Sequence, residues 1–362
     1  MKPSASMAKG LTEGNNKHNL AVGSPDIPPP TQIYDLVNDF GKNPNFQYQP
    51  TKGGLETIKN VISLIDGTNE LLNPNKNVIL TPGAKYGIYL TLKTICNIGD
   101  SVLLIEPYWL SYTDICESLG LKASFWEPID NNYSFSDFKL LIEKSTIRPR
   151  VIVINNPINP SGYIFDKHTL ELLIDYCNNN DIWVILDEVY KDLCFNTNAN
   201  LHQNLFSNNL IRIGSFSKSL AIPGFRSGYI LANETFISNF NLLHQHIATS
   251  INSLTAFVLR HINVDTYADY TKKCSLIYKE RYEASYNELL RKGYKPIKSD
   301  ATFYMLFDVN NKFENGQIAC DYFEKQGVLL TAGINYGKKF DNSIRICLTK
   351  ESTLLTEIIS NL

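Results

Sequence analysis

The sequence predicts an α/β protein in two parts, a doubly wound sheet followed by a smaller α+β unit. Three observations predict it. Short β-rich runs recur through the middle of the chain, at Asn77–Leu80, Ser101–Ile105, Val151–Asn155, Trp183–Leu186, Ile211–Gly214 and Gly228–Leu231. Most are continuous apolar runs rather than alternating ones, the pattern of strands covered on both faces. Helix-like stretches such as Tyr86–Ile95 and Lys167–Asn178 lie between many of them, and strand then helix, repeated, builds such sheets. The pattern changes after about residue 265, where a long polar helix over Ala268–Lys292 leads to runs at Phe303–Asp308, Gly327–Thr331 and Ser343–Leu348. Pro28-Pro29-Pro30 is a stiff extended segment that suits a domain crossing or an ordinary loop.

Composition narrows the function classes. The chain has 362 residues, with 34 Lys plus Arg against 36 Asp plus Glu and a formal net charge of -2. That balance leaves no electrostatic footprint for nucleic acid or an anionic membrane. No apolar run approaches the ~18 residues of a membrane-spanning helix, and Met1-Lys2-Pro3-Ser4-Ala5 lacks the apolar stretch of a signal peptide. At ~150 residues per domain the length suggests about two domains, and a chain of this size buries enough surface to need no metal or disulfide staple. The 7 cysteines are odd in number, widely spaced and never arranged as C-x-x-C, against a zinc site or a disulfide framework. A reducing cytoplasm is the compartment expected.

Open α/β sheets bind ligands beyond the carboxyl ends of their strands. The run ending at Leu80 leads into Thr81-Pro82-Gly83-Ala84-Lys85 and a helix start, whose free N–H groups and dipole suit a phosphate. After Ile105 comes Pro107-Tyr108-Trp109, and after Asn155 a polar turn, Asn156-Pro157-Ile158-Asn159-Pro160-Ser161-Gly162. Val184-Ile185-Leu186 runs straight into Asp187-Glu188-Val189-Tyr190, and an Asp ending an apolar strand needs a compensating partner. Ile211-Arg212-Ile213-Gly214 leads into Ser215-Phe216-Ser217-Lys218, with Arg226 beyond. Lysine, acid, tyrosine and a phosphate-ready helix on one edge suggest pyridoxal phosphate (PLP), whose protein signature is a Schiff-base lysine with an acidic partner for the pyridine nitrogen.

From about Gly23 to Arg345 the sequence resembles the class I/II aminotransferases, PLP-dependent fold type I, of the aspartate aminotransferase superfamily. The run Ser215-Phe216-Ser217-Lys218-Ser219-Leu220-Ala221-Ile222-Pro223-Gly224-Phe225-Arg226-Ser227-Gly228 follows the family's lysine signature except at Ser227, where an aliphatic residue is usual. Asn159-Pro160-Ser161-Gly162 and Asp187-Glu188-Val189-Tyr190 match in order and distance. The resemblance implies a seven-stranded, mostly parallel sheet domain at residues 28–270, and a discontinuous small domain made of 1–27 and 271–362.

It also implies a role for each residue. Lys218 would carry the cofactor as an aldimine and shuttle the α-proton, which requires its amine pKa to fall from the usual ~10.4. Asp187 would keep the pyridine nitrogen protonated; its plain alternative is a helix N-cap. Tyr190 and Asn159 would bond the phenolate oxygen, where a core Tyr and a turn Asn are the alternatives. Trp109 would stack on the ring unless it only packs the core. Ser215, Ser217, Arg226 and the start of the helix at Gly83, Ala84 and Lys85 would hold the phosphate; the plain alternative for Lys85 is an exposed first-turn residue that contributes only its backbone. Arg345 would clamp the substrate α-carboxylate beside Gly23, with Asn159 and Trp109 also facing substrate, although Arg345 also suits a structural salt bridge. Tyr48 would come from the second subunit of a homodimer with a shared site.

The expected activity is therefore transfer of an amino group between an L-amino acid and a 2-oxo acid by way of pyridoxamine phosphate. The alternative is a PLP-dependent lyase or other specialised α-carbon chemistry, because one fold supports several reactions. A non-enzymatic regulator would carry a helix-turn-helix module ahead of Gly23, where the segment is too short for one. Dicarboxylate-specific relatives place a second arginine where this chain reads Leu242-Leu243-His244-Gln245-His246-Ile247; His246 is then either a side-chain pocket residue or a plain helix-face histidine. Ala332-Gly333 replaces a usual Pro-Gly, and the short segment before Gly23 leaves lid closure open.

Overall fold

The computed structural model describes residues 18–67, 71–128, 133–196 and 201–362. A two-residue strand, β1 (His18–Asn19), opens the described chain. Seven further strands form the large sheet: β2 (Val78–Thr81), β3 (Ser101–Ile105), β4 (Lys122–Trp126), β5 (Val151–Asn155), β6 (Trp183–Asp187), β7 (Leu210–Ser215) and β8 (Gly228–Leu231). Their spatial order is β2-β8-β7-β6-β5-β3-β4. Only β8 runs antiparallel to its neighbours, so the sheet is mostly parallel, as expected.

Burial explains why these runs lack alternation. Val102 and Leu104 of β3 join one apolar cluster with Val151, Val153, Ile185, Ile211 and Ile213. Leu103 and Ile105 face the other way and join Ile152, Ile154, Val184 and Leu186 in a second cluster. Each strand is therefore apolar at successive positions because both faces are covered. β4 escaped the sequence reading. Lys122 and Phe125 are exposed at this sheet edge, so Lys-Ala-Ser-Phe-Trp lacks a continuous apolar run. The strand expected at Trp183–Leu186 also includes Asp187, held in register opposite Asn155 of β5.

The C-terminal part adds β9 (Lys295–Pro296), β10 (Tyr304–Asp308), β11 (Val328–Leu329), β12 (Thr331–Ala332) and β13 (Ser343–Cys347). Four of them form an antiparallel sheet, β12-β13-β10-β9, in which Arg345 pairs with Leu306 and Thr331. The run expected as one element at Gly327–Thr331 is two. It divides at Leu330, because β11 leaves the four-stranded sheet and pairs with β1 instead. The long helix begins at Val264 rather than Ala268 and ends at Arg291, its start capped by the Asn263 side chain. The N-terminal segment is fastened to these C-terminal elements by β1–β11 pairing and by a 2.8 Å ion pair from Arg281 to Asp26. The portion of the expected small domain before residue 18 lies outside the described residues, and so does the segment invoked for lid closure except for its residues 18–22.

Pro28–Pro30 leads directly into the helix Thr31–Lys42, with Pro30 at its N-cap. Among the described residues no helix is long and apolar enough to cross a membrane. No group of His, Cys, Asp and Glu among them could hold a metal ion.

Candidate active site

Five strand ends of the large sheet open toward one cavity of about 440 Å³. Its walls bring together Ala84 and Lys85 after β2, Trp109 after β3, Asn155 and Asn159 at β5, Asp187 and Tyr190 at β6, and Ser215, Ser217 and Lys218 at β7. Gly23, Tyr304, Arg226 and Arg345 close it. The site lies where parallel strands release their carboxyl ends, so adjacent turns are forced into proximity by sheet register alone.

Lys218 sits on the single helical turn Phe216–Ser219 that follows β7. Its ammonium donates 2.5 Å to the Gly23 carbonyl and stands 5.6 Å above the Phe303 ring. No carboxylate pairs with it among the described residues. Burial brings its pKa down to about 8, and the nearby Arg345, Arg226 and Lys85 charges act in the same direction. The lowering expected of a nucleophilic amine is thus built from desolvation and like charge.

Asp187 is 4% exposed. It is not a helix cap: Oδ2 accepts 2.6 Å from the Tyr112 hydroxyl, and Oδ1 accepts 3.1 Å from the Val189 N–H. Burial pushes its carboxyl up to about 6 despite these bonds. A cation in the cavity would relieve that cost. Tyr112 reached this position from the helix Ser111–Ser118, and sequence reading missed it, because nothing local marks which tyrosine of a helix meets a distant carboxylate.

Tyr190 is buried beside Asn159, whose Nδ2 lies 3.5 Å from its hydroxyl. The Asn159 Oδ1 is buried with no hydrogen-bond partner. Asn159 is held in place by its own N–H, which donates 2.7 Å to the Asn155 side chain. A second missed residue, Tyr304, shares a 2.9 Å hydroxyl contact with Tyr190.

The corner beyond β7 is rich in donors. The Ser215 hydroxyl donates to Ser227 O at 2.7 Å and lies 2.8 Å from Ser217 Oγ. Arg226 takes a left-handed backbone (φ 56), with its guanidinium on the Pro223 and Pro82 carbonyls. That guanidinium packs against Gly83, where a Cβ would fall 2.5 Å from Nη2. Gly83 precedes the twelve-residue helix Ala84–Ile95, whose first N–H groups face the same corner as a ready anion site.

Arg345 is 6% exposed and has no carboxylate partner among the described residues. Its guanidinium lies 4.5 Å from the Tyr304 ring and 5.1 Å from the Tyr336 ring. One amine donates to the Ala21 carbonyl, but Nε is buried and unsatisfied. A structural salt bridge is therefore excluded for this arginine within the described chain. A buried guanidinium with an idle donor asks for an anion.

Trp109 is half-buried, edge-on to Tyr112 at 5.4 Å. The Lys85 ammonium sits over its ring at 4.9 Å, so Lys85 contributes a side chain as well as a backbone to the cavity. Gly83 precedes the helix that lines the cavity without lining it itself, and two further expected residues do not join the cavity of this chain. Tyr48 is 85% exposed. His246 is exposed on the helix Glu234–Ile247, and the buried histidine there is His244, bonded through Nδ1 to the Tyr86 hydroxyl at 2.9 Å.

These donors fit pyridoxal phosphate. A primary amine near pKa 8, a buried carboxylate short of a cation, an idle Asn159 oxygen, a half-buried indole and a helix N-terminus beside Arg226 match its aldehyde, ring nitrogen, ring face and phosphate.

The comparison with known proteins agrees. Residues 15–362 match the family model described as aminotransferase class I and II. The aspartate aminotransferase of Musicola paradisiaca is 29% identical over 69% of this chain and 63% of that enzyme, so this match spans just under two thirds of the relative. That of Sulfolobus acidocaldarius is 27% identical over 94% of this chain and 87% of the relative. The structure of Thermus thermophilus aspartate aminotransferase with maleate superposes with a TM-score of 0.90 at 21% identity, covering 99% of this chain and 96% of that one, a likeness of fold. The chain belongs to the aminotransferase class I and II family and is a pyridoxal phosphate-dependent aminotransferase.

Proposed function

We propose that the cavity moves an amino group between an L-amino acid and a 2-oxo acid, with the residue roles that follow. When bound, pyridoxal phosphate supplies an aldehyde for the substrate amine and a ring that accepts the electrons left behind by the departing α-proton. Lys218 would hold the cofactor through its amine, and the same Nζ, when free, would take the α-proton and return it. Asp187 keeps a proton on the ring nitrogen. Tyr190 donates to the ring oxygen, and Asn159 turns its amide toward the same edge. Trp109 covers one ring face. Ser215, Ser217, Arg226 and the N–H groups at Ala84 and Lys85 bind the phosphate. Arg345 pairs with the α-carboxylate, with Gly23 leaving room beside it.

The observation that supports this reading best is the pairing of two unsatisfied cations in one cavity. Among the described residues Lys218 is buried without an acid, and Arg345 is buried with an idle Nε. The first suits covalent chemistry and the second suits a carboxylate. The test is a panel of amino acids mixed singly with the cofactor-loaded protein. Transfer releases one 2-oxo acid per site and no ammonia, then stops until an oxo acid is added; elimination releases ammonia and continues. Lys218→Ala should abolish both the release and the trapping of cofactor on the chain by borohydride. Trapping that survives in this variant would refute the assignment.

The protein acts as a homodimer in this reading, because Tyr48 is exposed at 85% with Phe46 beside it at 78%. Mixing inactive Tyr48→Ala and Lys218→Ala chains should restore part of the activity if Tyr48 serves the opposite site. We place the small domain in residues 18–27, the described part of its N-terminal piece, and 271–362 around a cofactor domain at 28–270, supported by the β1–β11 pairing. A cytoplasmic location suits the seven free cysteines, and cell fractionation tests it.

A further inference from the structure

We propose that Tyr304 is a positioning residue that links the two ends of the active site, its hydroxyl backing the Tyr190 hydroxyl and its ring face seating the Arg345 guanidinium. The inference rests on the functional reading above and adds a residue to it. Tyr304 opens β10, which the pairing of β10 with β13 sets beside the strand that bears Arg345. The two hydroxyls are 2.9 Å apart, and either can donate. The guanidinium carbon of Arg345 lies 4.5 Å from the ring centre, within the range of a cation–π contact.

The direction of the hydrogen bond follows from counting protons. A phenol has one O–H, and Tyr190 must spend its own on the cofactor's ring oxygen. Its oxygen then needs a donor from behind. Asn159 Nδ2 stands at 3.5 Å, the limit of hydrogen bonding, whereas Tyr304 is at 2.9 Å and buried. With Tyr304 donating to Tyr190 and Tyr190 donating onward, each bond polarises the next. Tyr190 becomes the stronger donor and favours negative charge on the ring oxygen.

Tyr304 has little freedom to leave this place. A Cβ on Gly23 would fall 1.8 Å from its hydroxyl, so only glycine at that position lets the tyrosine stand there. The Gly23 carbonyl in turn accepts from Lys218 at 2.5 Å. The ionisable groups facing the tyrosine pair are Arg345, Cys347 and Asp187, with Lys218 and Tyr336 adjoining.

Two substitutions separate the two functions. Tyr304→Phe keeps the ring under Arg345 and removes the hydroxyl; Tyr304→Leu removes both. The readout is the pH midpoint of the visible absorbance of the bound cofactor, together with kcat and KM for an amino donor. In Tyr304→Phe the midpoint should rise by about half a pH unit, since a weaker donor stabilises the ring oxygen's charge less. Its kcat should fall several-fold while KM changes less than twofold. Tyr304→Leu should show the same rise and also a KM raised by about tenfold. A midpoint in Tyr304→Phe within about 0.1 of the parent's would overturn the inference, leaving the cofactor assignment intact. A parent protein that shows no cofactor absorbance would instead overturn the functional reading and the inference with it.

Discussion

Replacing Asp187 by Asn tests the electrostatics of the site in two states of the protein. In the cofactor-free chain the buried carboxyl is pushed up to about 6 from an ordinary 3.8. A difference of about two pH units corresponds to about 3 kcal/mol. The sign follows from proton counting. Between pH 4 and 6 the unfolded chain has already lost this proton while the folded one keeps it, so raising the pH costs the folded state stability. That cost is absent below pH 4 and complete above pH 6. Asn carries no such charge. The stability difference between Asp187→Asn and parent, both stripped of cofactor, should therefore move by about 3 kcal/mol in favour of the variant from pH 4 to pH 7. Urea denaturation at a series of pH values reads it, and every other titrating group cancels in the difference. With cofactor bound the balance reverses. A ring cation at ~4 Å in an effective dielectric near 20 is worth about 4 kcal/mol to the carboxylate. The variant should lose roughly a thousandfold in amino transfer as the ring proton goes. A stability difference that stays flat to about 0.5 kcal/mol across this range would refute the claim that Asp187 is buried at a cost that the cofactor relieves.

Three further outcomes follow from the geometry. Arg345→Ala should raise KM for amino acids roughly a hundredfold, the scale of a lost charge-assisted, bidentate bond, while amines lacking a carboxylate react as slowly as before; steady-state kinetics with matched acid and amine donors decides it. Of the four cations lining the cavity, matching Arg226 to phosphate, Arg345 to the α-carboxylate and Lys218 to the cofactor leaves Lys85, whose pKa is lowered by burial and by Arg226. Lys85→Ala should cut kcat/KM for aspartate and glutamate at least tenfold more than for alanine, and an equal loss on all three would remove Lys85 from side-chain recognition. Arg212→Met should destabilise the fold by about 3–5 kcal/mol in denaturant unfolding, since it removes the guanidinium charge from two buried acids: Arg212 reaches Glu188 and Asp66 at 3.0 Å each, with Glu188 also bonded by Tyr229 and facing His202.

The lysine, the acid and the tyrosine were legible in the chain because each follows a strand whose continuous apolar run announces itself. Asp187 could be singled out since a charge ending such a run is costly unless matched. Lys122–Trp126 was not legible, because an edge strand needs no apolar continuity and its composition is that of a loop. Tyr304 was hidden for the opposite reason. It begins an apolar strand where a core tyrosine is unremarkable, and its meaning lies in Tyr190 and Arg345, 114 residues before it and on the neighbouring strand. The sequence offers Lys85 as a backbone donor, and only the fold sets Trp109, which follows β3, beneath its ammonium.

What the sequence determined by itself is the local and periodic part: apolar runs that bury on two faces, helix starts that leave N–H groups free, and a lysine signature joined to an acid that fits one cofactor chemistry. The near-neutral charge belongs here too, since anions are met by single arginines rather than by an overall field. Tertiary structure decided everything that depends on distance in space. It gave Asp187 its tyrosine, left Arg345 without an acid among the described residues, crowded Gly23 against Tyr304, and kept Tyr48 and His246 out of this chain's cavity. The physical reason is that charge, desolvation and hydrogen bonding act over a few ångströms, and only the folded chain sets which residues stand that close.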